Sequence, residues 1–131
     1  MRIAQAVEGA IVVHARAEAP RECCGLLIGT GAEVIEAVAA RNLSEQPETR
    51  YLIDPRDHLL AIREARARGL RVVGAYHSHP RSAATPSATD AADGFSHFLF
   101  VIVGLVGARP EITAWIWADG NFTAVPLVRF P

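Results

Sequence analysis

The segment from Arg71 to Tyr76 constrains the fold more than any other part of the chain. It reads Arg-Val-Val-Gly-Ala-Tyr and is mostly apolar along its length. A strand with apolar residues on both faces needs protein on both sides, so it lies inside a sheet rather than at an edge. The segment therefore predicts a central strand, in a sheet that has helices packed against it.

The remainder of the chain supplies helices and strands in alternation. Polar residues at helical intervals predict a first helix from about Gln5 to Glu18, which Pro20 ends. Apolar runs bounded by turn residues predict six more strands, of which the first two can form a hairpin: Cys23–Ile28, Val34–Ala40, Tyr51–Ile53, Phe98–Val103, Ile112–Trp117 and Phe122–Val128. This order indicates an α/β (α+β) fold, with a single mixed β-sheet flanked by helices.

A second helix has the clearest boundaries. Asp54 can cap its N-terminus, Pro55 suits its first position, and Gly69 can end it. The pair Glu64 and Arg68 has the spacing of an ion pair on the exposed side. We expect the buried face to be apolar residues at helical spacing, namely Leu59, Ile62 and Ala65.

Composition excludes several classes of protein. A length of 131 residues argues for one domain, residues 1–131. Thirteen basic and 14 acidic residues leave a net charge of −1, so we expect neither a dedicated nucleic-acid binder nor a polybasic membrane anchor. The longest apolar run, Phe98–Gly107, is far shorter than the roughly 20 residues that a membrane span needs. The only cysteines, Cys23 and Cys24, are adjacent and form no disulfide framework, so we expect a cytoplasmic protein.

A short polar motif follows the central strand directly. His77 and His79 are two residues apart, and in an extended chain such residues point to the same side, so both imidazoles face one point. Asp90 comes after a loop that contains proline and can supply an oxygen ligand. Two imidazoles and one carboxylate, with water in the fourth position, make the ligand set of an open catalytic zinc site. Zinc lowers the pKa of its bound water and polarises a carbonyl group.

A zinc hydrolase of amides needs two further groups. One is a carboxylate that takes a proton from the water and passes it to the leaving amine, and the other is a donor for the oxyanion. Glu22 is the best candidate for the carboxylate, and Ser87 is the best candidate for the donor. Spacing alone does not exclude three other glutamates that precede the histidines, namely Glu18, Glu33 and Glu36.

The spacing of these residues resembles the JAMM/MPN+ motif of zinc metallopeptidases. His77-x-His79 is followed after ten residues by Asp90, with Ser87 three residues before it. Upstream, the stretch Pro20–Gly29 reads Pro-Arg-Glu-Cys-Cys-Gly-Leu-Leu-Ile-Gly and is similar to the family's Pro-x-Glu-x-Cys-Gly-Leu-Leu-x-Gly segment. The resemblance covers almost the whole chain, because the order of strands and helices also fits.

The resemblance implies a fold of the MPN/cytidine-deaminase-like type and a role for each motif residue. Zinc would bind His77, His79 and Asp90, Glu22 would act as general base and then acid, and Ser87 would donate to the oxyanion. The substrate would be a peptide or isopeptide bond at the C-terminal tail of a ubiquitin-like or sulfur-carrier protein. The short loop between the ligands leaves little room for ubiquitin-chain insertions, so a compact prokaryotic member is expected. Two alternatives stay open: a non-catalytic MPN-type scaffold, and a zinc hydrolase of another small amide.

Other conspicuous residues carry no assigned chemistry. His14 and His58 lie on the two predicted helices without partner spacing, and His97 precedes an apolar strand. We therefore expect these three histidines to be bystanders. Trp115 and Trp117 share one strand face and are interpreted as core or interface aromatics.

Overall fold

A computed structural model describes residues 1–87 and 98–131 of the protein. It contains eight strands and two helices within these ranges, and all eight strands belong to one sheet. In chain order they are β1 Arg2–Ala4, α1 Gln5–Glu18, β2 Cys24–Gly29, β3 Glu33–Ala40, α2 Pro55–Ala67, β4 Arg71–His79, β5 Leu99–Gly104, β6 Glu111–Ala118, β7 Asn121–Val125 and β8 Val128–Phe130.

The sheet is mixed, and β4 lies in its middle. Its strand order is β7-β6-β5-β4-β2-β3-β1-β8, with β4 antiparallel to β2 and parallel to β5. The prediction of a central strand is therefore confirmed. β2 and β3 form the predicted hairpin, and Asp119 and Gly120, both with positive φ, make the turn between β6 and β7.

The sheet is curled. Its two edge strands, β7 and β8, are separated along the chain only by Pro126 and Leu127, so the two edges must approach each other. Helix α1 packs on one face, where Val7, Ile11 and Ala15 join the larger part of the core. Helix α2 packs on the sheet through a second, smaller cluster that contains Leu26 and Ile28 of β2. No helix in the described ranges is long and apolar enough to cross a membrane.

Helix α2 begins as predicted but buries different residues. The Asp54 carboxylate accepts a hydrogen bond from the Arg56 N–H at 2.8 Å, and Pro55 is the first helical residue. Ala65 is buried as predicted, but its buried partner is Ala61, while Leu59 and Ile62 are on the exposed side. The prediction for these two was wrong because the face of α2 that packs on the sheet is the one that carries Ala61 and Ala65, which are one helical turn apart.

Three further predictions need correction. Tyr51–Ile53 is not a strand, since Ile53 makes only an isolated bridge with Asn42. The predicted final strand is interrupted at Pro126, which cannot donate to a ladder, and continues as β8 on the opposite edge. Arg68 pairs with Glu36 on β3 at 2.9 Å rather than with Glu64. The three-residue strand β1 was not predicted at all.

Candidate active site

The two histidines of the central strand meet at its C-terminal end. Their Nε2 atoms lie 3.1 Å apart, and both residues are buried. His77 is paired across the sheet with Cys24 on β2 and with Ile102 on β5, so neighbours on both sides fix the strand here. The sequence places the rings together because residues two apart on a strand share a face.

The ring of His79 is oriented by the backbone that follows it. Its Nδ1 atom lies 2.8 Å from the carbonyl oxygen of Ala83, and a carbonyl oxygen only accepts hydrogen bonds. The proton of the neutral ring is therefore on Nδ1, and Nε2 carries the lone pair that points towards His77. Metal-binding histidines are oriented in this way in many proteins.

The separation of the two Nε2 atoms fits a shared metal ion. Two imidazole nitrogens bound to one tetrahedral zinc at about 2.0–2.1 Å lie roughly 3.3–3.4 Å from each other. The observed 3.1 Å is close to this value. Within residues 1–87 and 98–131, no group of three histidine, cysteine or acidic residues is arranged to hold a metal. The predicted third ligand, Asp90, lies outside the described residues, as does His97.

Glu22 lies next to the histidines. It directly precedes Cys23, whose carbonyl accepts from the Ser78 N–H at 3.1 Å. Because Cys24 pairs with His77, continuing the antiparallel register by two residues puts Glu22 opposite His79. Glu22 is buried, with 6% of its surface exposed.

The three alternative glutamates have other partners at the surface. Glu18 pairs with Arg21 at 3.1 Å, Glu33 with Arg2 at 2.7 Å, and Glu36 with Arg68 at 2.9 Å. The side chains of all three glutamates are about one-third or more exposed, whereas Glu22 is buried. The geometry thus separates Glu22 from the three glutamates that sequence spacing did not exclude.

Ser87 is the last residue described before the gap, and it is exposed. The segment between His79 and Ser87 is held against β6: the Ala84 N–H donates to Glu111 at 3.1 Å, and the Thr113 hydroxyl donates to the Ala84 carbonyl. The loop that carries Ser87 therefore starts from a fixed point beside the strand end.

One aromatic residue beside the histidines was not singled out by the sequence. Tyr51 stacks on the His77 ring, with ring centroids 4.3 Å apart and planes inclined by 20°. Sequence reasoning missed it because the segment was interpreted as a strand, and no spacing rule relates residue 51 to residue 77.

The cysteines beside the site do not have the environment of nucleophiles. Burial raises the pKa of Cys23 to about 11 and that of Cys24 to about 12. Both thiols are therefore protonated at neutral pH, and the thiolate is the reactive form.

His14 serves the core rather than the histidine pair. Its Nδ1 atom lies 2.8 Å from the hydroxyl of buried Tyr76, and burial lowers the pKa of His14. Tyr76 fits under α1 because Gly25 has no side chain: a Cβ there would lie 2.3 Å from the tyrosine ring. His14 was predicted to be a bystander to the site, and its observed partner is a buried hydroxyl group of the core.

The curled mixed sheet with its two helices defines the architectural class, which is that of JAB1/MPN domains. A JAB1/MPN domain protein from Archaeoglobus fulgidus has the same fold, with a TM-score of 0.67, 19% identity and full coverage of both chains. A protein from Desulfitobacterium hafniense of known solution structure matches with a TM-score of 0.89 and 26% identity, over 99% of this chain and 93% of the other.

The particular family follows from the sequence match. Residues 4–118 match the family described as prokaryotic homologs of the JAB domain, and the chain belongs to this family.

Named relatives are similar over most of their length. A probable TtuB-protein conjugate cleaving protease from Thermus thermophilus is 36% identical over 112 residues, which are 86% of this chain and 72% of the relative. A desampylase from Haloferax volcanii is 34% identical over 69% of each chain. A CysO-cysteine peptidase from Mycobacterium tuberculosis is 31% identical over 90% of this chain and 83% of the relative.

Proposed function

We propose that this chain is a zinc-dependent metallopeptidase that hydrolyses a peptide or isopeptide bond at the C-terminal tail of a ubiquitin-like or sulfur-carrier protein. The observation that carries the proposal is the meeting of the His77 and His79 Nε2 atoms, 3.1 Å apart, beside buried Glu22. A buried histidine pair with a carboxylate beside it is more typical of a hydrolase than of a non-catalytic scaffold.

The proposed zinc site uses three side chains. His77 and His79 would bind through Nε2, and Asp90, assigned from the motif, would supply the third ligand. When bound, zinc provides Lewis acidity, which lowers the pKa of a water molecule and polarises the scissile carbonyl group.

Glu22 and Ser87 would move the proton and stabilise charge. The Glu22 carboxylate would take a proton from the attacking water and pass it to the leaving amine. The position of Glu22 favours this role, because it is the buried one of the four candidate glutamates and lies opposite His79 across the strand pair. The Ser87 hydroxyl would donate to the oxygen of the scissile carbonyl as negative charge develops on it.

The substrate class rests on the names of the relatives. One is named for cleaving conjugates of TtuB, one as a desampylase and one for CysO-cysteine, and all match most of this chain. We infer that this chain also cuts at the tail of a small carrier protein.

The test is to incubate the zinc-loaded protein with fusions that extend beyond the C-terminal tail of candidate ubiquitin-like and sulfur-carrier proteins. Intact-mass spectrometry then reads the position of the cut. We expect cleavage directly after the tail. Cleavage elsewhere would contradict the substrate class, and a zinc-loaded protein that cuts none of the fusions would favour a scaffold.

A further inference from the structure

The side chain of Asn42 uses all of its hydrogen-bonding capacity beside the site. Its Nδ2 group donates to the carbonyl oxygens of Glu22 and Arg50, both at 3.0 Å. Its Oδ1 atom accepts from the N–H groups of Ser44 and Leu52, also at 3.0 Å each. An asparagine amide has two N–H donors and two acceptor lone pairs, so this one is fully satisfied.

Two of these bonds bracket Tyr51. The carbonyl of Arg50 and the N–H of Leu52 belong to its two neighbours in the chain, and Asn42 binds both. Tyr51 lies outside any strand, so the Asn42 amide replaces part of the ladder that would otherwise hold it. Tyr51 in turn stacks on His77, with centroids 4.3 Å apart.

The same amide also holds the backbone of Glu22. The Glu22 carbonyl accepts from Asn42, and the Glu22 N–H donates to the carbonyl of Pro47 at 2.6 Å. Both partners of the Glu22 backbone, Asn42 and Pro47, thus lie in the loop of residues 41–50. Arg81, two residues after His79, also reaches this loop through its ion pair with Glu48 at 3.3 Å.

We propose that Asn42 is a positioning residue of the active site. Through Tyr51 it fixes the ring plane of His77, and through the Glu22 carbonyl it fixes the start of the chain that presents the carboxylate. The His77 ring and the Glu22 carboxylate are thereby held in position before any metal binds. This inference rests on the proposed function, since it assigns His77 to zinc and Glu22 to proton transfer.

The first test compares zinc affinity between two matched variants. Asn42→Ala removes the four bonds, and Asn121→Ala removes an exposed asparagine on β7 whose amide donates to Asp119 at 3.5 Å. By competition with a chelator, we expect Asn42→Ala to bind zinc on the order of tenfold more weakly, as for other groups that orient ligands. Asn121→Ala is expected to match the unchanged protein, and equal affinities for all three would overturn the inference.

The second test asks whether Asn42 acts through Tyr51. Tyr51→Leu removes the stacked ring and is expected to weaken zinc binding on the order of tenfold, whereas Tyr51→Phe keeps the ring and should retain the affinity. In the Tyr51→Leu background, Asn42→Ala should weaken zinc binding by no more than about twofold, because the two changes break one chain of contacts. If the double variant loses zinc affinity by the product of the two single losses, Asn42 does not position His77 through Tyr51. That result would overturn the inference.

A further variant and a second readout cover the case in which Asn42→Ala does not fold. Asn42→Asp keeps the two acceptors but places an oxygen opposite the carbonyls of Glu22 and Arg50. We expect its kcat to fall on the order of tenfold with little change in KM, because it disturbs groups that act on the reacting atoms. An unchanged kcat would overturn the inference. Unchanged protein that binds no zinc would instead contradict the proposed function itself.

Discussion

At the scale of single residues, burial distinguishes the proposed acid–base group from its competitors. Glu22 is 6% exposed, whereas Glu18, Glu33 and Glu36 are in ion pairs at the surface. Spacing could not make this distinction, because it carries no information on which carboxylate the fold brings beside β4. Tyr51 and Asn42 were missed for the same reason, since their roles depend on contacts between distant segments.

The substitution Glu22→Gln tests the role of this carboxylate. The amide has nearly the same shape but cannot take up a proton, so we expect kcat to fall by about 10²–10⁴-fold while zinc still binds. The measurement is turnover of a cleaved fusion, together with the zinc content of the same sample. Glu18→Gln is the matched control and should retain activity. Full activity in Glu22→Gln would contradict the mechanism.

At the scale of elements, local signals predicted most of the sheet and both helices. Helix α1, the β2–β3 hairpin and the cap of α2 follow from periodicity, turn residues and Asp54-Pro55, all of which act over a few residues. The interpretation of Tyr51–Ile53 as a strand failed because a strand needs partners, and here the Asn42 side chain takes the hydrogen bonds.

The contact between β2 and Tyr76 makes Gly25 sensitive to substitution. A Cβ on Gly25 would lie 2.3 Å from the tyrosine ring and 2.4 Å from the Val38 carbonyl oxygen. We expect Gly25→Ala to lower the free energy of unfolding by about 1–3 kcal/mol, measured by denaturant titration. In the control Gly9→Ala, on α1, a Cβ would meet nothing within 4 Å, so that change should raise stability by about 0.5–1 kcal/mol. Equal stabilities for the two variants would refute the packing argument.

At the scale of the whole molecule, the curl of the sheet depends on contacts that no local pattern reveals. β8 pairs with β1 in parallel, and Arg129 of β8 binds Glu8 of α1 at 2.6 Å across 121 positions of sequence. The two strands at this end of the sheet, β1 and the edge strand β8, have only three residues each, which is too short for a periodicity to indicate them.

The Glu8–Arg129 pair should contribute to stability. Glu8 is 8% exposed, so Arg129→Met leaves a nearly buried carboxylate without its cation. Because the arginine itself is half-exposed, we expect a loss of only about 1 kcal/mol in the free energy of unfolding. Arg21→Met, which breaks an exposed pair with Glu18, is the control and should change stability little. A loss no larger than in this control would mean that the pair does not secure β8.

Metal content tests the central claim most directly. Purified protein is loaded with zinc, freed of excess metal and analysed for zinc per chain, beside the variant His77→Ala. The account predicts about one equivalent in the unchanged protein and a large loss in the variant, because a site with three protein ligands cannot hold zinc tightly with two. Less than about half an equivalent in the unchanged protein, or equal zinc in both, would contradict a zinc site at the end of β4.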